Sequence, residues 1–162
     1  MKTAVYPPHR SSFGMDANIA VLVLYIAMAA ISWIPIVKFL AWGIPVACFF
    51  LEKESKFVKY QAAQALVIGL IQAIIGLILQ IIIWVTTPRD WAGALNYALG
   101  GGWGIWVLLG TISMIIGLVF MALIVYVMIM AYGYKQVELP LIGPLTAKLA
   151  RMMDNMGGNK TP

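Results

Sequence analysis

Long apolar stretches dominate this sequence and limit what it can fold into. They cover residues 17–51, 55–85 and 104–132, and each exceeds the roughly 20 residues that a helix needs to cross a bilayer. Hydrophobic residues make up 62% of the chain and charged residues only 10%, whereas soluble domains carry about 25% charged residues. This composition excludes an ordinary soluble domain and predicts an all-α, polytopic integral membrane protein.

The first stretch, residues 17–51, is too long for a single span. As one helix it would be about 52 Å long at ~1.5 Å per residue, whereas the hydrocarbon core is about 30 Å thick. Lys38 lies near its middle between two prolines, and a lysine held at mid-membrane costs roughly 2.5–3.5 kcal/mol. We therefore predict a helical hairpin with arms at about 17–34 and 39–51. The second arm is short enough to be either a tilted span or a re-entrant segment.

The other two stretches each predict one long span. The third span covers about 56–85, with Ser55 as its N-cap, and the fourth covers about 104–132. A loop at 86–103, rich in tryptophan, tyrosine and glycine, joins them and is typical of an aromatic belt at the membrane surface. The prediction is a four-helix bundle flanked by two tails, with the segments at residues 1–16, 17–133 and 134–162.

Basic residues are distributed unevenly around these spans. With four spans, nine of them lie in the two tails and in the loop before the third span, and only Lys38 and Arg89 lie on the other side. Because basic residues are retained on the cytoplasmic side, this pattern places both termini in the cytoplasm. A three-span arrangement separates the basic residues less sharply between the two sides of the membrane. The net charge of +5 therefore reflects membrane orientation, and with no nucleic-acid motif in the chain we predict no nucleic-acid partner.

Small and amide side chains share one face of the third span. At 100° per residue that face contains Gln61, Ala65, Gly69, Gln72, Ala73, Gly76 and Gln80. Such a face lets helices approach closely and form amide hydrogen bonds worth roughly 0.6–2 kcal/mol each. The alternative is that Gln64, Gln72 and Gln80 line a hydrophilic path. Helix packing is favoured because the amides are widely spaced and no carboxylate accompanies them within the span.

The fourth span repeats this pattern with Gly110, Ser113 and Gly117, beside a stripe of methionines. We interpret it as a second packing seam. Methionine also binds soft metals, but such sites usually include cysteine or histidine, and the chain has only Cys48 and His9. We therefore predict no metal and no cofactor, and leave open a bound lipid or pigment.

Catalytic motifs are missing from the sequence. HExxH, GxSxG and a phosphate-binding loop are not found, and all six acidic residues lie in predicted loops or tails. Proton-coupled transporters usually keep ionisable groups within the membrane, so that class is disfavoured. These observations predict a protein that is not an enzyme.

The C-terminal tail contains a predicted amphipathic helix at about 144–156. Pro144 suits its first turn, and its apolar residues gather on one side while Lys148 and Arg151 face away. A basic helix of this kind typically lies on the cytoplasmic leaflet. Docking on a partner subunit is the alternative.

Two motifs resemble a family of small bacterial and archaeal membrane proteins of unknown function. The segment at 54–65 resembles the family's acidic-Ser-x-Phe-Val-x-x-His-x-x-Gln-Ala signature through Ser55, Phe57, Val58 and Gln64. The segment around Pro140 resembles its closing Leu-Pro-Ile-Gly sequence. Two positions depart from the family pattern, since Gln61 replaces a common histidine and Tyr134 replaces a common glycine.

The wider superfamily includes the twenty-kilodalton inner-envelope component of the chloroplast protein-import translocon and the magnetosome protein MamF. The resemblance implies a four-helix module in a prokaryotic cytoplasmic membrane, without fixing its function. The leading hypothesis is a structural or accessory subunit of a larger membrane complex, whose partners are membrane lipids and other membrane subunits. The alternative is a translocon-like or solute-conducting pore formed by homo-oligomers.

Overall fold

The structure of the chain is a computed structural model that describes residues 3–32, 41–100, 103–140 and 142–156. Within these ranges the chain is mainly helical. The helices are α1 (Ala17–Ser32), α2 (Gly43–Leu51), α3 (Lys56–Thr86), α4 (Trp91–Leu99), α5 (Trp103–Tyr132) and α6 (Ile142–Met156), and the strands are β1 (Thr3–Val5) and β2 (Lys135–Val137). The predicted turn of the first hairpin, around 35–38, lies outside the described residues.

Among the described residues, α3 and α5 are the helices long and apolar enough to cross a membrane. Their 31 and 30 residues correspond to about 45 Å each, more than the hydrocarbon thickness. Only 17% of the most apolar 18-residue segment of α3 is buried within the chain, and only 6% of that of α5. These helices therefore differ from the core helices of soluble proteins, which are mostly buried. Their bounds lie within one residue of the predicted 56–85 and 104–132.

The predicted hairpin is represented by two short apolar helices, which pack on each other. The 16 residues of α1 reach the last described residue before the gap, and the nine residues of α2 begin at Gly43, whereas the predicted arms cover 17–34 and 39–51. The described residues form six helices, of which two have spanning length, so the structure does not support the predicted bundle of four.

The chain divides into two compact units. The first contains the residues up to Leu70 and those from Ile124 onward, and the second contains Ile71–Leu123. The hydrophobic core of the first unit combines α1, α2, the start of α3 and the end of α5. Its buried side chains include Val21, Leu24, Tyr25, Phe49, Phe57, Val58, Ile68 and Val127.

A two-stranded antiparallel sheet joins the N-terminal segment to the segment that follows α5. Thr3 lies opposite Val137 and Val5 lies opposite Lys135, and the Tyr6 amide donates to the Tyr134 carbonyl at 3.0 Å. The sequence analysis placed these residues in tails. Strands of three residues are too short for their alternation to be recognised in a sequence.

The predicted loop at 86–103 contains α4, a helix that the sequence analysis did not predict. Asp90 supplies the N-cap of this helix, with its carboxylate accepting a hydrogen bond from the Gly93 amide at 2.9 Å. An aspartate at this position is a standard helix start. None of the side chains of α4 is buried.

Candidate functional site

The first unit contains a polar clasp, formed by residues 9–12 of the N-terminal segment and residues 52–55 between α2 and α3. Its centre is Glu52, which is fully buried. The Glu52 carboxylate accepts hydrogen bonds from the backbone amides of Ser12, Glu54 and Ser55, each at 3.0 Å, and from the Ser12 hydroxyl at 2.7 Å. The Ser12 hydroxyl accepts in turn from the Lys53 amide at 2.9 Å. Two segments 40 residues apart in the chain are thereby fixed together.

The clasp stabilises a charged carboxylate with neutral donors. Burial raises the pKa of Glu52, but the hydrogen bonds from Ser55, Ser12 and Glu54 outweigh burial and hold this pKa below its usual value. Glu52 is therefore ionised at neutral pH. In the part of the chain that the structure describes, no lysine or arginine forms a salt bridge with it.

His9 ties the N-terminal segment to the start of α3. Its Nδ1 lies 2.8 Å from the Pro7 carbonyl oxygen, so Nδ1 carries the proton, and its Nε2 accepts from the Ser55 hydroxyl at 2.7 Å. The Ser55 oxygen also accepts from the Val58 amide at 3.1 Å, which confirms the predicted N-cap of the third span.

The contact between Ser55 and His9 has the geometry of a nucleophile and its base. Ser55 is only 1% exposed, however, so its hydroxyl offers a substrate no approach. The pair caps α3 and positions the N-terminal segment.

An aromatic cluster surrounds His9. The ring of Phe57 lies 5.4 Å from Tyr6, 6.3 Å from His9 and 6.0 Å from Tyr134, measured between ring centroids. Tyr134 has a φ of 55°, in the left-handed region that favours glycine. Packing of its ring against Phe57 and His9 offsets the cost of that backbone conformation.

A cavity of about 430 Å³ lies in the same unit. Its walls come from the N-terminal segment, α2, the start of α3, β2 and α6. The lining residues are Tyr6, Phe49, Lys53, Glu54, Lys56, Lys59, Tyr60, Gln136, Ala150 and Asp154. Lys59 forms a salt bridge with Asp154 at 3.3 Å and lies 5.5 Å from the centroid of the Phe49 ring. The cavity thus combines three lysines with aromatic and polar walls.

The first half of the small and amide face of α3 is packed inside the first unit. Gln61, Gln64 and Ala65 are fully buried. The Tyr25 hydroxyl donates to Gln61 Oε1 at 3.4 Å, and Gln64 Nε2 donates to the Val137 carbonyl at 3.3 Å. At Gly69 an added Cβ would lie 2.5 Å from the Met28 terminal methyl, so this glycine lets α1 approach α3 closely.

The second half of that face is open. Gln72 is half-buried, whereas Ala73, Gly76 and Gln80 are exposed. On α5, Gly110, Ser113 and Gly117 are exposed as well. A Cβ added at Gly76, Gly110 or Gly117 would meet no atom within 4 Å. In the part of the chain that the structure describes, nothing packs against these glycines.

Four of the five residues that carry the resemblance noted in the sequence lie at or near the start of α3. Ser55, Phe57, Val58 and Gln64 are all buried there, whereas Pro140 is exposed. The motif positions on α3 thus belong to the core and the cap of the first unit.

The tail helix α6 begins two residues before the predicted start and packs on its own chain. Its buried residues are Ile142, Gly143, Thr146 and Met153. Lys148 and Arg151 are exposed as expected, and Leu145 and Met156 remain 52% and 71% exposed. Asp154 forms a salt bridge with Lys59 of α3 at 3.3 Å. The apolar stripe of α6 is therefore only partly covered.

Sequence reasoning missed the polar clasp. It placed residues 1–16 in a tail and Glu52 in a loop, where acidic residues are usually solvated. The available signal was an acidic residue three positions before the serine that caps a long apolar helix. That spacing brings the carboxylate near the unpaired amides of the helix start.

No group of three or more histidine, cysteine, aspartate or glutamate residues that could hold a metal ion occurs in the described ranges. Comparisons of the chain with protein-family models, with curated proteins and with solved structures found no match.

Proposed function

We propose that this chain is a non-enzymatic integral membrane protein that serves as a structural or accessory subunit of a larger membrane complex. The observation that carries the proposal is the open face of the second unit. Gln72 and Gln80 place amides along a helix of spanning length, and hydrocarbon cannot satisfy an amide. Gly76, with open space before it, lets another helix approach closely. A partner helix meets both requirements.

The contacts within the first unit support a topology with both termini on one side of the membrane. The clasp binds the N-terminal segment to the loop between α2 and α3, and the sheet binds it to the segment after α5. A hairpin of α1 and α2 that crosses or re-enters the membrane, followed by two long spans, places these three segments on the same side. The positive-inside rule makes this the cytoplasmic side, and we propose a prokaryotic cytoplasmic membrane.

The alternative, a pore formed by self-association, has less support. A hydrophilic path through such a pore would require the amide side chains of α3 to face a common lumen. Gln61 and Gln64 are fully buried, and each forms a hydrogen bond within the first unit. Of the α3 amides considered, only Gln72 and Gln80 are left to line a pore. These two amides lie about two helical turns apart and do not form a continuous hydrophilic path.

The test is purification of the tagged full chain from its own membranes in a mild detergent, followed by mass spectrometry. We expect stoichiometric membrane-protein companions. Recovery of a lone small species would contradict the proposal, and recovery of a homogeneous self-oligomer would favour the pore. Flux measurements in liposomes against protein-free controls then decide whether such an oligomer conducts.

Site-specific photocrosslinking tests which face binds the partner. A photoreactive residue at Gln80 lies on the small and amide face, whereas one at Ile78 lies about 160° away on the same helix. Both positions are exposed, so Ile78 is a matched control. We expect partner adducts from position 80 and lipid adducts from position 78. Equal partner adducts from both positions would refute the assignment of this face.

A further inference from the structure

We propose that the cavity of the first unit binds the monoanionic phosphodiester headgroup of a glycerophospholipid. This inference uses the membrane location proposed above and does not depend on a partner subunit. It would hold for an isolated chain in detergent.

The charges around the cavity favour a single negative charge. Lys59 is neutralised by Asp154 at 3.3 Å. Lys53 and Lys56 also line the cavity, and among the described residues neither has an acidic partner within salt-bridge distance. With Glu54 as the other acid in the lining, the three lysines and two acids leave a net charge of +1. A phosphodiester carries one negative charge, whereas a phosphomonoester carries about 1.5–2 at neutral pH.

The position of the cavity matches the depth of a headgroup. Lys56 and Lys59 belong to the first two turns of α3, immediately before the apolar part of a helix long enough to cross a membrane. The volume of about 430 Å³ lies within the roughly 300–1,000 Å³ of small-molecule pockets.

Two lining residues carry polar atoms that the described part of the chain leaves unsatisfied. They are the hydroxyl of Tyr60 and the Oε1 of Gln136, both buried. Gln136 as a whole is only 8% exposed. Buried polar atoms without a partner are uncommon in folded proteins. A glycerol headgroup brings hydroxyls that pair with such atoms after small side-chain shifts, and its phosphate is then held by the lysines.

The test uses the full chain in a neutral detergent and short-chain lipids. The probes are dihexanoyl phosphatidylglycerol and dihexanoyl phosphatidylcholine, with inorganic phosphate and glycerol 3-phosphate as soluble sources of the same group. Binding is measured by microscale thermophoresis and checked by native mass spectrometry. We expect phosphatidylglycerol to bind at least about tenfold more tightly than each of the other three probes.

Variants locate the site. Lys53→Gln with Lys56→Gln should weaken phosphatidylglycerol binding about tenfold or more, and Lys53→Arg with Lys56→Arg should retain it. The matched control is Lys148→Gln with Arg151→Gln, which removes the same charge from an exposed part of α6 outside the cavity. That control should bind as the unaltered chain does. Circular dichroism and gel filtration confirm that each variant is folded.

Each other outcome overturns part of the inference. Equal binding of phosphatidylcholine would refute charge recognition by the lysines. Equal binding of glycerol 3-phosphate or inorganic phosphate would keep a phosphate site but refute a lipid as its source. Equal losses in the cavity and α6 variants would refute the cavity as the site. A chain that binds phosphatidylglycerol but is purified without companions would separate this inference from the proposed accessory role.

Discussion

Replacement of Glu52 tests whether the polar clasp stabilises the first unit. Glu52→Gln preserves the side-chain shape and one acceptor oxygen but removes the charge. Hydrogen bonds to charged groups are worth about 1.5–3 kcal/mol and neutral ones about 0.5–1.5 kcal/mol. One Glu52 oxygen accepts four hydrogen bonds of 2.7–3.0 Å. Removing the charge weakens these bonds but also removes the free-energy cost of burying a charged carboxylate. We therefore expect a net loss of about 2 kcal/mol.

Glu52→Ala should cost more. It leaves three backbone amides of the clasp without their acceptor, of which the Ser55 amide is buried and the Ser12 and Glu54 amides are part-buried. An unsatisfied buried group costs about 1–3 kcal/mol. A loss of about 4 kcal/mol would be a large part of the 5–15 kcal/mol that stabilises a typical domain.

The Glu52 effect should depend on pH in a defined direction. The hydrogen bonds lower the pKa of Glu52 in the folded chain, so its contribution is fully present above the pKa of an unfolded glutamate, about 4.3. It decreases as pH falls below that value toward the folded pKa. The stability difference between the unaltered chain and Glu52→Gln should therefore be constant near neutral pH and shrink below about pH 4.3.

The assay is denaturant unfolding in a mild detergent, followed by tryptophan fluorescence, with hydrogen exchange at the Glu54 and Ser55 amides. Glu54→Gln is the matched control, because Glu54 is exposed and its loss should change stability by less than about 0.5 kcal/mol. Equal stabilities of Glu52→Gln and Glu54→Gln, with unchanged exchange, would refute the role assigned to the clasp.

Four further substitutions test other parts of the structure. Tyr134→Gly should be about 1 kcal/mol more stable than Tyr134→Ala in denaturant unfolding, because both lose the ring but only alanine keeps the cost of the positive φ. Ser55→Ala should lower the unfolding free energy by about 1–2 kcal/mol in the same assay, because the Val58 amide loses its acceptor. Gly76→Leu should reduce companion recovery without unfolding the chain, since its side chain meets open space. Lys148→Glu with Arg151→Glu should speed hydrogen exchange of α6 on anionic vesicles, and unchanged protection would argue against surface binding.

The long helices could be predicted because their signal lies within one segment. Apolar length alone locates α3 and α5 within one residue of their observed bounds. The cap at Ser55 could be predicted for the same reason, since its partner Val58 is three residues away.

The clasp and the sheet could not be predicted because they depend on distant segments. Glu52 pairs with Ser12 across 40 residues, and β1 pairs with β2 across most of the chain. Neither contact leaves a periodic pattern in the sequence.

Pairing of β1 with β2 has a consequence for the newly made protein. The clasp has all its residues once Ser55 has left the ribosome, but β1 must wait for Lys135–Val137. At about 5–20 residues per second, synthesis from the first strand to its partner takes roughly 7–26 seconds, and β1 is unpaired during that time. A chain whose synthesis stops within α5 therefore retains an unpaired strand at its N-terminus, and the free N–H and C=O groups of that strand are a template for pairing with another chain.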